Sequence, residues 1–160
     1  MKIKGLQNED FVNYKKPSIF IGTSLCDWKC CNEQCLDRSV CQNSSLANSK
    51  TIDISTDEIF RRYINNAITK SIVIGGLEPI LQFQDIHDLI SYFRCHGCND
   101  VFVIYTGYYK DEILDAVNSL CKFSNIIIKF GRYVPNHKPH YDQILGVNLA
   151  SDNQYAEVIS

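Results

Sequence analysis

The sequence predicts an α/β fold, an open, partial (β/α) barrel with a mostly parallel sheet of about five or six strands. Three observations lead there. Short apolar runs bounded by turn residues recur along the chain, amphipathic helical patterns separate them, and the runs end in loops that carry cysteine or glycine. Such alternation favours parallel pairing, and right-handed crossovers then bring every loop that follows a strand to one edge of the sheet.

Ser18-Ile19-Phe20-Ile21-Gly22-Thr23, after Pro17, reads as a buried strand, and a cysteine-rich loop at about residues 24–46 leaves its end. Ser55 with Glu58 three positions later has the pattern of a helix start. Ile59, Phe60, Tyr63, Ile64 and Ala67 share one face, which predicts a helix over 56–69. Residues 71–74 are the next strand and run into Gly75-Gly76-Leu77-Glu78-Pro79, a turn that exposes backbone amides. Ile86, Leu89, Ile90 and Phe93 mark a second helix, stopped by Gly97. Residues 101–105 form a strand that ends in Thr106-Gly107-Tyr108, and a helix over 110–121 buries Ile113, Leu114, Val117 and Leu120. The strand at 126–130 ends at Gly131, and residues 132–141, with Pro135 and Pro139, read as an irregular loop. No linker or repeat divides the chain, so one domain over residues 1–160 is expected, with an open side that leaves room for a large partner.

Composition excludes several classes. Apolar residues make up 45% of the chain and the net charge is only -2, which is unlike a disordered protein. Lys and Arg are dispersed and form no basic stripe, so no nucleic-acid partner is expected. No apolar run reaches the roughly 18 residues of a membrane span. The residues after Met1 to Gly5 turn polar and acidic, unlike a signal-peptide core, so a cytoplasmic location is expected. Eight cysteines are many for such a chain, and Cys26, Cys30, Cys31, Cys35 and Cys41 fall together. Without an export signal, that density points to metal binding or redox chemistry, not to a disulfide framework. Thiolates are soft ligands, and three on one loop suit an iron–sulfur cluster or a structural zinc. The C-x3-C interval from Cys26 to Cys30 leans toward the cluster, because zinc pairs commonly use C-x2-C or C-x4-C.

With Cys41-Gln42-Asn43, these residues resemble the radical S-adenosylmethionine enzymes, specifically the activating proteins of anaerobic (class III) ribonucleotide reductase and related glycyl radical enzymes. Members carry C-x3-C-x2-C followed by a variable residue and Asn. Gly75-Gly76-Leu77-Glu78-Pro79 resembles their Gly-Gly-Asp/Glu-Pro motif, Val103 to Tyr108 resembles Val-Tyr-Thr-Gly-Tyr, and Ser151-Asp152-Asn153-Gln154 is similar to Ser-Ser-Asn-Gln. The order agrees from Ile19 to Gln154. There are two departures. Ten residues separate Cys30 from Cys41, and Leu77 stands between the glycine pair and the acid.

The resemblance implies a [4Fe-4S] cluster held by Cys26, Cys30 and Cys41, with Cys35 the alternative or additional ligand and Cys31 ranked last. It implies that one iron, free of protein ligands, binds S-adenosylmethionine, and that Gly75, Gly76, Glu78, Tyr105, Gly107 and Asn153 contact this cofactor. Reductive cleavage to a 5′-deoxyadenosyl radical would follow. The implied partners are a large glycyl radical enzyme, such as anaerobic ribonucleotide reductase, and an electron donor such as flavodoxin or ferredoxin. Two other readings remain: the same chemistry on another protein or peptide, and a non-catalytic iron–sulfur or zinc protein using Cys26, Cys30, Cys35 and Cys41 together. Tyr108 is expected near the adenine or at the sheet edge, and Trp28 is expected to shield the cluster or anchor the loop. Cys95 and Cys98 lie at a helix end and are read as non-ligating, and Cys121 as a small buried hydrophobe. His87, His137 and His140 take surface or packing roles.

Overall fold

The computed structural model describes residues 1–160. Its strands are β1 (Lys2–Asp10), β2 (Ser18–Thr23), β3 (Ile52–Asp53), β4 (Ser71–Gly76), β5 (Val101–Tyr105), β6 (Ile126–Phe130), β7 (His140–Asp142), β8 (Val147–Leu149) and β9 (Tyr155–Val158). The helices are α1 (Lys29–Asn32), α2 (Ser44–Ala47), α3 (Thr56–Ile64), α4 (Phe83–Cys95) and α5 (Leu114–Leu120). No helix is long and apolar enough to cross a membrane.

Seven strands form one open sheet in the order β3-β1-β2-β4-β5-β6-β9, and β7 and β8 form a separate hairpin. The four consecutive strands β2, β4, β5 and β6 pair in parallel. Both flanks are antiparallel, β1 against β2 and β3 on one side and β9 against β6 on the other. The expected five- or six-stranded partial barrel is therefore corrected to a mixed seven-stranded sheet. The added strands, β3 and β1 on one side and β9 on the other, are half-polar or exposed segments that take their order from pairing within the sheet.

Because each parallel strand lies beside its predecessor and crosses over in the same hand, α3, α4 and α5 all pack on one face. That face contributes Ile19, Ile21, Ile72, Ile74, Phe102, Ile104, Ile126 and Ile128, packed against Ile59, Leu89, Phe93 and Leu120. Alternate residues Val73, Val103 and Ile127 point the other way and meet Tyr14, Leu145 and Leu149. Burial on both faces explains why the central strands read as continuous apolar runs. The β7–β8 hairpin and its connecting turn cover part of this second face.

Three further expectations need correction. The helix predicted over 56–69 ends at Ile64, because the Asn66 side chain accepts from Ile68 N–H at 2.9 Å and turns the chain. Its start is as predicted, with Ser55 Oγ accepting from Glu58 N–H at 3.1 Å. The helix predicted over 110–121 opens as a 3-10 turn, Lys110–Ile113, which shifts the phase and leaves Leu114 51% exposed. Cys121 is exposed, not packed as a small hydrophobe.

Candidate metal and cofactor site

The loops after β2, β4, β5 and β6 meet at one edge around a cavity of about 290 Å³. Cys26, Cys30 and Cys41 line it from the first loop, joined by Gly75 and Gly76 at the end of β4 with Leu77 and Glu78 beyond it, Tyr105 at the end of β5 with Thr106 and Gly107 beyond it, and Lys129 in β6 with Gly131 just after it. Parallel topology alone produces this convergence, since the residues span more than a hundred positions of sequence.

Between β2 and α2 the chain makes two short helical turns, α1 and Arg38–Val40. All eight cysteines are free thiols. Backbone N–H groups donate to two of the cavity sulfurs, Trp28 to Cys26 Sγ at 3.3 Å and Asn43 to Cys41 Sγ at 3.4 Å. The neighbouring thiols of Cys30 and Cys41 titrate as a pair, with Cys41 pulled down to about 6 and Cys30 pushed up. Burial raises Cys26 to about 11. Cys35 is exposed, with φ of +53°, and does not line the cavity; Cys31 is buried with its sulfur 3.9 Å from that of Cys30. No group of three or more His, Cys, Asp or Glu side chains closes on one point as the ligands of a single ion would. Three soft sulfurs lining one cavity, two of them already accepting N–H bonds, fit a bulkier iron–sulfur cluster.

The glycine pair lines the cavity and also lets neighbouring segments pack closely against it. A Cβ at Gly76 would stand 2.6 Å from Leu46 and 3.0 Å from the Gly22 backbone, and the residue has φ of +83°. A Cβ at Gly75 would press on Tyr105 and Phe20 at 3.3 and 3.4 Å. The glycines therefore admit α2 and the neighbouring strand as well as lining the cavity. Glu78, 5% exposed, accepts from Thr106 Oγ1 at 2.7 Å, Gly107 N–H at 2.8 Å and Ile80 N–H at 3.0 Å. Burial raises its pKa, against the lowering by these three bonds. A carboxylate has about four acceptor positions, so one remains for a ligand. Its own N–H donates to Leu25 O at 2.7 Å, so the Leu77 insertion leaves the motif pinned beside Cys26.

Tyr105 forms a cavity wall and its hydroxyl donates to Asn13 O, tethering the β1–β2 connection. Gly107 does not have a positive φ; its visible part is the N–H given to Glu78, not a left-handed turn. Asn153 lies behind the wall, donating to Tyr109 Oη at 3.0 Å and Arg132 O at 2.8 Å, while Gln154 is the member of that pair that lines the cavity. Tyr108 turns to the cysteine loop and donates to Asp27 at 2.6 Å. Trp28 is stacked under Arg38, whose guanidinium is 5.0 Å from the ring.

Sequence reading missed Lys129. It is 6% exposed, lines the cavity, and donates to Gly131 O at 2.7 Å. Desolvation lowers its pKa to about 7, against the opposing pull of Glu78 and Cys30. The signal was present: a lone Lys interrupts an otherwise apolar strand that is buried on both faces. Residues 147–150 of the unforeseen hairpin also line the cavity.

Fold and site together define an α/β protein with a three-cysteine loop at the C-terminal edge of its parallel strands. Residues 21–154 match the family described as a 4Fe-4S single cluster domain, and the chain belongs to that family. Comparison with curated proteins returns no match.

Proposed function

We propose that the protein is a radical S-adenosylmethionine enzyme, with Cys26, Cys30 and Cys41 holding the cluster, and that it installs a glycyl radical on a partner such as anaerobic ribonucleotide reductase, with flavodoxin or ferredoxin as electron donor. One observation carries the reading: the cavity lined by the three sulfurs is also lined by a buried carboxyl, Glu78, and a buried amine, Lys129. These match the two charges of an α-amino acid end, which is how the methionyl part of the cofactor is built.

A four-iron cluster held by the thiolates of Cys26, Cys30 and Cys41 would keep one iron free for the sulfonium cofactor and, once reduced by the electron donor, would pass on the electron that cleaves its carbon–sulfur bond. The chain's own residues do the rest. Glu78 is fixed by three donors, so its remaining acceptor position is aimed before a ligand arrives. Lys129, itself largely shielded from solvent, would balance an anion where such a pair is stronger than at the surface. Phe20 and Tyr105 give flat apolar walls against which an adenosyl group packs. Val12, 73% exposed at the cavity margin, leaves a route for a protein segment.

The test is anaerobic reconstitution with iron and sulfide, then addition of S-adenosylmethionine and a reductant. The expected results are a four-iron cluster, a spectrum that changes on adding the cofactor, and release of 5′-deoxyadenosine. A cluster with an unchanged spectrum and no nucleoside product rules out the radical chemistry.

A further inference from the structure

Behind the cavity, charged side chains from three separate segments close on one another beneath the cysteine loop. Arg132, whose side chain is only 5% exposed, is held bidentate by Glu112, Nη2 to Oε1 at 2.6 Å and Nη1 to Oε2 at 2.8 Å. From the loop, Glu33 approaches Arg132 Nε at 2.7 Å and Lys29 reaches the same Glu112. Lys29 also lies 5.0 Å from the centre of the Tyr108 ring, whose hydroxyl holds Asp27. Gln34 ties Cys30 O, at 2.8 Å, to Tyr133 O, at 3.1 Å. Cys30 therefore stands within a ring of loop residues, each anchored to the segments that follow β5 and β6.

We propose that Glu112 and Arg132 are positioning residues that hold α1 and its Cys30 thiol in place for the cluster before any metal binds. A four-residue helix has too few internal bonds to persist alone. It begins at Trp28 with φ of +60°, and its one local cap is an exposed bond from Lys29 N–H to Asp27 Oδ1 at 3.1 Å, with Asp27 itself held by Tyr108, so most of its order comes from outside. The outside contacts are the ones described, and the strongest is a desolvated guanidinium between two carboxylates. Removing one carboxylate leaves that guanidinium short of a partner, and the loop loses Lys29 at the same time. This inference rests on the family's cluster and not on cleavage of a sulfonium.

The experiment measures amide hydrogen exchange in chelator-treated, full-length protein, wild type against Glu112→Gln, Glu112→Asp and Arg132→Met, followed by iron per chain after reconstitution. In Glu112→Gln, residues 29–34 should exchange roughly tenfold faster, the scale of a lost charge-assisted bond. Amides of β4 and β5 should stay protected, iron per chain should fall, and Glu112→Asp should recover part of both. Unchanged exchange at 29–34 in Glu112→Gln, or equal acceleration in β4 and β5, overturns the proposal. If Arg132→Met does not fold, the Glu112 pair of variants still decides. Metal-free exchange does not depend on whether S-adenosylmethionine is cleaved, so the two readings fail separately.

Discussion

At the scale of single residues, charge burial makes two opposite demands. Arg132, then Lys29 and the Tyr109 N–H, hold the Glu112 carboxyl down to about 2, below the ordinary value of about 4.3. A carboxyl with a depressed folded value contributes stability that is complete above its unfolded value and is lost as pH falls through the folded one. The thermal midpoint of the wild type should therefore exceed that of Glu112→Gln at pH 6, and the gap should narrow from about pH 4 down to about pH 2. A constant gap across that window would show that the variant acts through packing. Lys129 works the other way, with a folded value of about 7 against about 10.4 unfolded. Between those values the unfolded chain binds more protons, so this group's penalty fades as pH rises. Lys129→Met should raise the thermal midpoint at pH 6 to 7, with a smaller gain near pH 10, while weakening retention of an anionic ligand; scanning calorimetry against pH checks the first part.

At the scale of elements, the motif loops are held by packing as much as by chemistry. Gly76→Ala places a methyl group against the Gly22 backbone at a positive φ, and should cost about 2 kcal/mol or more in urea unfolding. Gly107→Ala meets only the Glu78 carboxylate at 3.4 Å and should cost about 1 kcal/mol or less. Equal losses would remove the distinction drawn between the two glycines. The parallel strands were legible because burial on both faces leaves an unbroken apolar signature, as in Ile126-Ile127-Ile128. β1 was not, because Lys-Ile-Lys-Gly-Leu-Gln-Asn-Glu-Asp has no sustained alternation and gains its order by pairing with β2. The β7–β8 hairpin hid within a proline-marked stretch, and its Leu145 becomes core only through contact with Val73 and Val103. In the site, cysteine and glycine spacing was readable, whereas the exchange of Asn153 for Gln154 in the cavity wall depends on the chain path at Gly131. There a Cβ would stand 2.8 Å from Asn153 O.

At the scale of the whole molecule, the sheet decides which cysteines face the cavity. β2 delivers Cys26 and Cys30 directly, and of the ten residues between Cys30 and Cys41 the first few stay packed, with Cys31 buried and Gln34 bonded to Tyr133 O, before an excursion carries Cys35 on its surface. The chain returns through Cys41 because α2 must seat Leu46 against Gly22 and Gly76, so the third sulfur is positioned by packing at its far side. Distance along the sequence is therefore a poor guide to which sulfurs reach the cavity. Cys35→Ala should keep iron and sulfide content near the wild-type value after reconstitution, whereas Cys26→Ala, Cys30→Ala and Cys41→Ala should each lose most of it. A Leu46→Ala variant should impair cluster retention too, although it removes no ligand, because it loosens the return of Cys41. Iron analysis paired with circular dichroism separates that effect from unfolding. Retained iron in Cys41→Ala with loss in Cys35→Ala would mean that the excursion folds inward when the cluster assembles.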